Sequence, residues 1–303
     1  MQYKRPKRPI SGVLLLDKPA GYSSNQALQR AKHMFGAAKA GHTGNLDPFA
    51  TGLLPLCFGE ATKFSQTLLD ADKVYRAVLK LGVTTATGDT EGAITSSALV
   101  QLTCEQVERA VASFLGPIIQ IPPMYSALKF QGRPLYEYAR SGIEIERKPR
   151  SVHIYEIRLV RFDGSEAEIV VNCSKGTYIR VLAEDIGKKL ECGAHLIVLQ
   201  RLATGGFQLQ DAYTLAQLEE MSRDERDAQL LPVDSLLLKL PPVDLDADAA
   251  HYFCQGQPVW KSGVQQMGLL RVYAPNDTFL GLGESLGDGR VAPRRVLASE
   301  WEI

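Results

Sequence analysis

Apolar residues along the chain recur at two spacings. Residues 13–16 (Val-Leu-Leu-Leu) form an unbroken apolar run that ends in Asp17-Lys18-Pro19 and Gly21. This predicts a buried strand entering a turn. Ser23 with Gln26 three positions on has the form of a capping box, and Leu28, Ala31, Met34 and Phe35 follow at helical spacing. A helix is therefore expected over about 24–35. Tyr75, Ala77, Leu79 and Leu81 alternate with Val74, Arg76, Val78 and Lys80, the pattern of a strand with one apolar face. Ala61, Phe64 and Leu68 predict another helix. Thr103 and Gln106 form a second capping box ahead of Val107, Val111, Phe114 and Leu115. Residues 151–162 and 166–173 predict two strands joined at Asp163-Gly164, a hairpin signal. Ile179, Leu182, Ala183, Ile186 and Leu190 predict a helix closed near Gly193, and residues 196–199 a further apolar strand. Residues 213–230 read as a surface helix.

Helices fall between strands at irregular spacing, without regular βαβ alternation. The expected class is α+β with a mixed sheet. Pro232, Pro241 and Pro242 with Asp244, Asp246 and Asp248 read as a linker. Beyond it, residues 269–273, 279–283 and 290–296 predict short strands broken by Gly, Pro and Asn, a small β-barrel module. Lys+Arg and Asp+Glu are each 34, so the net charge is zero. That argues against an indiscriminate polyanion binder and leaves room for local basic clusters. Two such clusters exist: Lys4, Arg5, Lys7 and Arg8, and the segment 124–150. The latter interleaves Lys129, Arg133, Arg140, Arg147, Lys148 and Arg150 with Tyr125, Phe130, Tyr136 and Tyr138, which suits an RNA-gripping insertion. An ordinary solvated helix and loop would have the same composition. The five cysteines lie at 57, 104, 173, 192 and 254, without C-x-x-C spacing. They read as reduced, buried thiols of a cytosolic protein. No signal peptide or membrane-length apolar stretch is expected.

The segment GHTGNLDPFATGLLP, residues 41–55, is too broken for a helix and too long for a tight turn. Its glycines at 41, 44 and 52 permit unusual backbone or close approach. Pro48 biases Asp47 towards an extended conformation and so fixes its direction. An Asp-Pro pair alone often does no more than start a turn. The whole string, however, resembles the active-site motif of the TruB family of pseudouridine synthases. Four further blocks follow that family's order: GVLLLDKPAGYSSNQAL at 12–28, GEATKFSQTLLDADKVYRA at 59–77, IPPMYSALKFQGRPLYEYARSG at 121–142 and CSKGTYIRVLAEDIG at 173–187. GLGESLGDGRVAPRRVL at 281–297 resembles the end of an RNA-binding PUA module.

The resemblance implies isomerisation of a uridine to pseudouridine at position 55, in the T-loop of tRNA. The base would be flipped out of the RNA, and no cofactor or metal is needed. It implies Asp47 as nucleophile, with Tyr75 stacked on the target base and Arg180 paired with Asp47. That arginine is expected to lower the Asp47 pKa. Tyr178 would contact the substrate nucleotide and Leu199 would floor the pocket. His42 would stack in the T-loop where the base had been, and Lys129 and Arg133 would grip RNA. The expected partner is the tRNA T-arm, met by a monomer without membrane or metal.

The implied organisation is a basic tail over 1–8, a catalytic domain over 9–245 with its insertion at about 124–150, and a PUA-like module over 250–303. Two positions depart from the family pattern: Asn45, where a smaller residue is usual, and Ala86, where an acid is frequent. A non-catalytic RNA-folding factor could use the same surface. A hydrolase acting on a glycosidic bond could use the same aspartate, but it normally pairs two carboxylates, and no second acid stands out near the motif. Whether Asp47 attacks C6 or C1′ stays open.

Overall fold

The computed structural model describes residues 7–264 and 267–298. Strands β1 (Gly12–Lys18), β2 (Ala40–His42), β3 (Thr51–Phe58) and β4 (Lys73–Leu81) belong to one mixed ten-stranded sheet. From edge to edge its path runs Tyr213–Thr214, β1, β3, Ala194–Thr204, β4, Glu166–Cys173, Arg150–Phe162 and Gly116–Gln120. β2 pairs with β3 off this path, and Phe207–Gln208 with Ala194–Thr204. The sheet has cover on both faces where β1 lies. Leu14 and Leu16 join the main core, while Val13 and Leu15 pack with Phe64, Leu68, Leu236 and Leu237 on the other side. That explains why β1 is apolar without alternation. β4 has one fully apolar face, and Tyr75, Ala77, Leu79 and Leu81 enter the main core.

Helix α1 (Ser24–Met34) begins at the expected capping box, as does the helix Cys104–Ala112 at Thr103 and Gln106. Each box satisfies two helix-end N–H groups. The helix Ile179–Lys189 completes this cover.

Four local expectations change. The 41–55 segment is a loop only in part, because Thr51 already starts β3. Pro55 is tolerated in that strand because it lies beyond the pairing of Thr51 and Gly52 with Ala194–Thr204 and before the pairing of Leu56 with His42. Around Ala61 and Leu68 there is a 3-10 turn, Gly59–Lys63, and a short helix, Gln66–Leu69. The single helix expected over 213–230 is two, Leu215–Glu220 and Arg223–Ala228. Ser222 and Glu225 form a fresh capping box that ends the first and starts the second.

The stretch expected to be a linker carries the strand Pro242–Asp244 and the helix Ala247–Cys254. That strand runs parallel to Gly268–Ala274. The second sheet has five strands in the order Pro242–Asp244, Gly268–Ala274, Thr278–Ser285, Arg290–Val296, Val259–Trp260. Val243, Leu245, Ala250 and Phe253 share its core with Val272, Leu280 and Val291. It is fastened to the 3-10 turn Gly59–Lys63, which follows β3: Lys63 Nζ donates to the Val296 carbonyl at 2.9 Å, and the Ala298 N–H donates to Glu60 at 2.6 Å. Phe64 and Phe279 meet at 5.8 Å between ring centres. Among the described residues no helix is long and apolar enough to cross a membrane.

Candidate active site

The loop between β2 and β3 is held at almost every residue. The Leu46 N–H donates to Ser24 Oγ at 2.8 Å, and Ser24 returns its hydroxyl to the Leu46 carbonyl at 3.1 Å. The Pro48 carbonyl accepts from the Gly21 N–H at 2.8 Å and from Lys18 Nζ at 3.4 Å. The Ala50 N–H closes a turn onto the Asp47 carbonyl at 3.1 Å. Asp47 thus leaves the end of the sheet with a direction set by its neighbours on both sides.

Arg180, in the first turn of the helix Ile179–Lys189, grips the Asp47 carboxylate with two donors, Nε to Oδ2 at 3.0 Å and Nη2 to Oδ1 at 3.4 Å. The same guanidinium donates to the Thr87 carbonyl at 3.0 Å and the Tyr125 carbonyl at 2.6 Å. Its Nη1 also lies 3.5 Å from Asp89 Oδ2. One planar fork therefore joins the Asp47 loop, the turn at 87–89 and the root of the 124–150 segment. Arg180 is 5 % exposed, whereas the Asp47 side chain keeps 35 % of its surface.

Burial pushes the Asp47 carboxyl above its usual range, with Asp89 adding to the push, and Arg180 pulls it back only in part. The expectation that Arg180 would leave that pKa lowered is corrected: desolvation outweighs the ion pair. Asp89, which fits the family pattern in the 84–92 block but was given no role, is a second acid close to Asp47. It is buried behind Arg180, accepting from the Thr87 hydroxyl and the Glu91 N–H. It does not line the cavity that Asp47 lines.

That cavity has a volume of about 250 Å³ and is lined by Asp47, Tyr75, Tyr178, Arg180 and Leu199, all expected from the sequence. Ser126, Lys73 and Arg201 also line it. Tyr75 and Leu199 come from adjacent strands, β4 and Ala194–Thr204, with Leu199 opposite Ala77. Tyr178 caps the helix that carries Arg180; Gln120 holds it by accepting its N–H at 2.9 Å and donating to its carbonyl at 3.2 Å. Burial raises the hydroxyl pKa of both tyrosines.

His42 lies outside the cavity lining, at the start of the loop. Its Nδ1 is buried without a hydrogen-bond partner. Burial and the Arg201 charge lower its pKa, which favours a neutral ring. Lys129 and Arg133 also lie outside the lining, in a small hairpin of Lys129–Phe130 with Arg133–Pro134. Both are exposed. Arg133 pairs with Glu137 at 2.8 Å and stacks over Tyr138 at 4.8 Å, so its charge is partly engaged. In the basic tail, Lys4 and Arg5 lie outside the described residues. Arg8 is docked on Asp227 and the Phe35 carbonyl, not free to reach a phosphate.

Sequence reasoning missed Lys18, Lys73 and Arg201. Lys18 is wholly buried, and its Nζ donates to the Pro19 and Tyr22 carbonyls at 2.9 and 2.6 Å. Burial brings Lys18 and Lys73 each down to about 8. The Asp17-Lys18-Pro19 turn was visible, but a lysine there looks solvated until the turn is seen folded under the Asp47 loop.

Family models match the chain in three consecutive pieces. Residues 32–179 match the TruB family pseudouridylate synthase N-terminal domain, 180–238 the tRNA pseudouridylate synthase B C-terminal domain, and 241–297 the pseudouridine synthase II TruB C-terminal domain. The tRNA pseudouridine synthase B of Methylobacillus flagellatus is 59% identical over 100% of both chains. The chain belongs to the TruB family of pseudouridine synthases. The tRNA pseudouridine synthase B of Chromobacterium violaceum is 54% identical over 97% of each chain. A solved chain from an H/ACA RNP bound to a substrate RNA containing 2′-deoxyuridine shares the fold, with a TM-score of 0.71 at 23% identity, over 95% of this chain and 85% of that one.

Proposed function

We propose that the chain isomerises one uridine to pseudouridine in the T-loop of tRNA, at position 55, through Asp47 as nucleophile. The observation that carries this reading is the Asp47 carboxylate, held by two donors of Arg180 at the wall of a half-open cavity that Tyr75, Tyr178 and Leu199 also line. The cavity suits one base and not a duplex, so the target must leave its stack. Tyr75 offers a ring face to that base, and Leu199 an apolar floor. The chemistry needs a carboxylate that forms and releases a bond. Asp47 keeps enough exposed surface to reach a ligand, while Arg180 fixes its plane. The raised pKa leaves it more basic than an exposed aspartate, and so a stronger nucleophile once ionised.

The hydrolytic reading needs two carboxylates facing one another across the substrate. Asp89 does not line the cavity; it sits behind Arg180, bonded to Thr87 and Glu91. Lys129, Arg133 and His42 outside the cavity are assigned to the surrounding T-arm. The enzyme is read as a monomer of the cytoplasm. It has a catalytic part up to about residue 240 and a PUA-like RNA-binding part beyond it, the strand Pro242–Asp244 and the helix Ala247–Cys254 going with the latter. The test is mass and position together. Treated tRNA should keep its mass and gain pseudouridine at position 55; loss of uracil would mean hydrolysis instead.

A further inference from the structure

Arg201 is the bulkiest of the side chains that are almost wholly buried, at 1 % exposure. Among the described residues no carboxylate pairs with it. A buried cation without a counter-ion costs several kcal/mol, on the order of the effective penalty per desolvated ion, unless other acceptors compensate. Here the acceptors are backbone carbonyls at the two ends of the nucleophile's loop. Nε donates to the Leu53 carbonyl at 2.7 Å and Nη1 to the Asn45 carbonyl at 3.4 Å. The third nitrogen, Nη2, is buried and meets no acceptor in good hydrogen-bond geometry, although the Tyr75 hydroxyl is near enough for Arg201 to act on it through a side-chain contact.

Strand register explains how the guanidinium arrives there. Arg201 lies opposite Tyr75 on β4 and opposite Gly52 on β3. Opposed residues share a face of the sheet, with Cβ atoms about 5 Å apart. Gly52 has φ +101°, and a Cβ there would come within 2.4 Å of the Arg201 carbonyl oxygen. The glycine thus lets β3 close onto Arg201, so the side chain runs beneath the loop between Gly52 and Tyr75. The charge is felt by four titratable neighbours: it lowers Lys18, Lys73 and His42, and it pulls the Tyr75 hydroxyl down against the larger push of burial.

We propose that Arg201 is a positioning residue: it clasps both ends of the loop that carries Asp47 and, once a base is stacked on Tyr75, gives its spare Nη2 donor to the Tyr75 hydroxyl, fixing that hydroxyl's direction over the base. This rests on the pseudouridine-forming reading above. An arginine that only stapled the loop would spend its charge for two neutral hydrogen bonds and leave a donor idle beside the cavity. A lysine would carry the charge but could not reach two carbonyls and a hydroxyl in one plane.

The test measures single-turnover pseudouridine formation at saturating enzyme, tRNA affinity and thermal unfolding for Arg201→Lys and Arg201→Gln, each with Tyr75 intact and as Tyr75→Phe. The expected affinity change is under about threefold, because the side chain is buried away from phosphates. The single-turnover rate should fall roughly 100-fold in Arg201→Gln, the scale of a small misplacement of reacting groups. Arg201→Lys should recover only part of that. In the Tyr75→Phe background the same substitution should cost about tenfold less, the coupling expected of two groups in contact. An equal factor in both backgrounds would overturn the proposal, leaving Arg201 a loop staple. So would an unchanged rate in Arg201→Gln.

A second measurement does not depend on the variants folding. The unsubstituted enzyme is crystallised with a T-arm RNA whose target uridine carries fluorine at C5. Arg201 Nη2 and Tyr75 Oη should then lie about 3 Å apart, and a separation beyond about 4 Å overturns the assignment. If the unsubstituted enzyme forms no pseudouridine at all, the functional reading fails and takes this inference with it. If it does and Arg201→Gln matches it, only the inference fails.

Discussion

Arginines at the cavity and arginines on the 124–150 segment live under opposite physical conditions. Arg180 and Arg201 are nearly inaccessible, and their donors go to fixed acceptors, mostly backbone carbonyls. Arg133 and Arg140 are exposed and lie over tyrosine rings, at 4.8 Å from Tyr138 and 5.4 Å from Tyr136. A buried guanidinium costs desolvation and yields geometry, because it cannot move without breaking several bonds. An exposed one costs little, is screened by salt, and adapts to the phosphate it meets. The comparison assigns precision to the first pair and attraction to the second. Substitutions at the cavity should therefore change the rate of bound tRNA, and substitutions on the segment should change how much tRNA is bound.

The largest effect belongs to Asp47. Asp47→Asn should lower single-turnover pseudouridine formation by on the order of 10⁴-fold or more, as expected for loss of a nucleophile. tRNA affinity should stay within a few-fold, measured by filter binding. The same variant should be at least as stable as the parent at neutral pH. Burial raises the Asp47 pKa above 3.8, so the folded protein holds that proton more tightly than the unfolded chain. Its stability contribution therefore falls as pH rises from the unfolded value through the folded one, and the penalty is constant above that window. A melting temperature several degrees below the parent would show that Arg180 depends on Asp47 more than on its three other acceptors.

Tyr75→Phe keeps the ring and removes the hydroxyl. The rate should drop roughly 10²- to 10⁴-fold, the range for a positioned proton-transfer group, with affinity nearly unchanged. Equal losses of rate and binding would assign the residue to stacking alone. Arg180→Lys comes next, at about 10²-fold in rate, since a point charge cannot hold Asp47 and the Thr87 and Tyr125 carbonyls together. Full activity in that variant would reduce the role of Arg180 to charge.

The smallest effect is on the segment. Lys129→Ala with Arg133→Ala should weaken tRNA binding and flatten the slope of log affinity against log salt by about one unit. The ion pair with Glu137 already engages Arg133, so the second unit that two free cations would give is not expected. Turnover at saturating tRNA should be spared. A collapse there would place the segment's charges in the chemistry and erase the contrast between the two sets of arginines.

Much of this contrast was legible in the sequence, and its gaps have physical causes. Capping boxes at Ser23 and Thr103 marked helix starts to the residue, because the signal is local. The same signal at Ser222 was present and unused. β3 was obscured by Gly52 and Pro55, which look like turn residues: Gly52 is there because the Arg201 backbone comes too close for a Cβ, and Pro55 sits in the gap between two partners along one edge. Asp47, Tyr75, Arg180, Tyr178 and Leu199 came from motif resemblance, and the fold gathers them round one cavity. Lys18 and Asp89 lie in blocks that fit the family pattern but drew no role there, and Arg201 lies outside the blocks. A charged residue looks solvated in one dimension, and only strand register and loop closure reveal that it is buried.

The central claim is that Asp47 performs base isomerisation at one uridine of the T-loop. Unmodified tRNA should be incubated with the unsubstituted enzyme and with Asp47→Asn, and pseudouridine mapped at single-nucleotide resolution. The account predicts complete conversion at position 55 by the first, no conversion by the second, and equal tRNA binding by both. Conversion at position 55 by Asp47→Asn, or its absence with the unsubstituted enzyme, would contradict it.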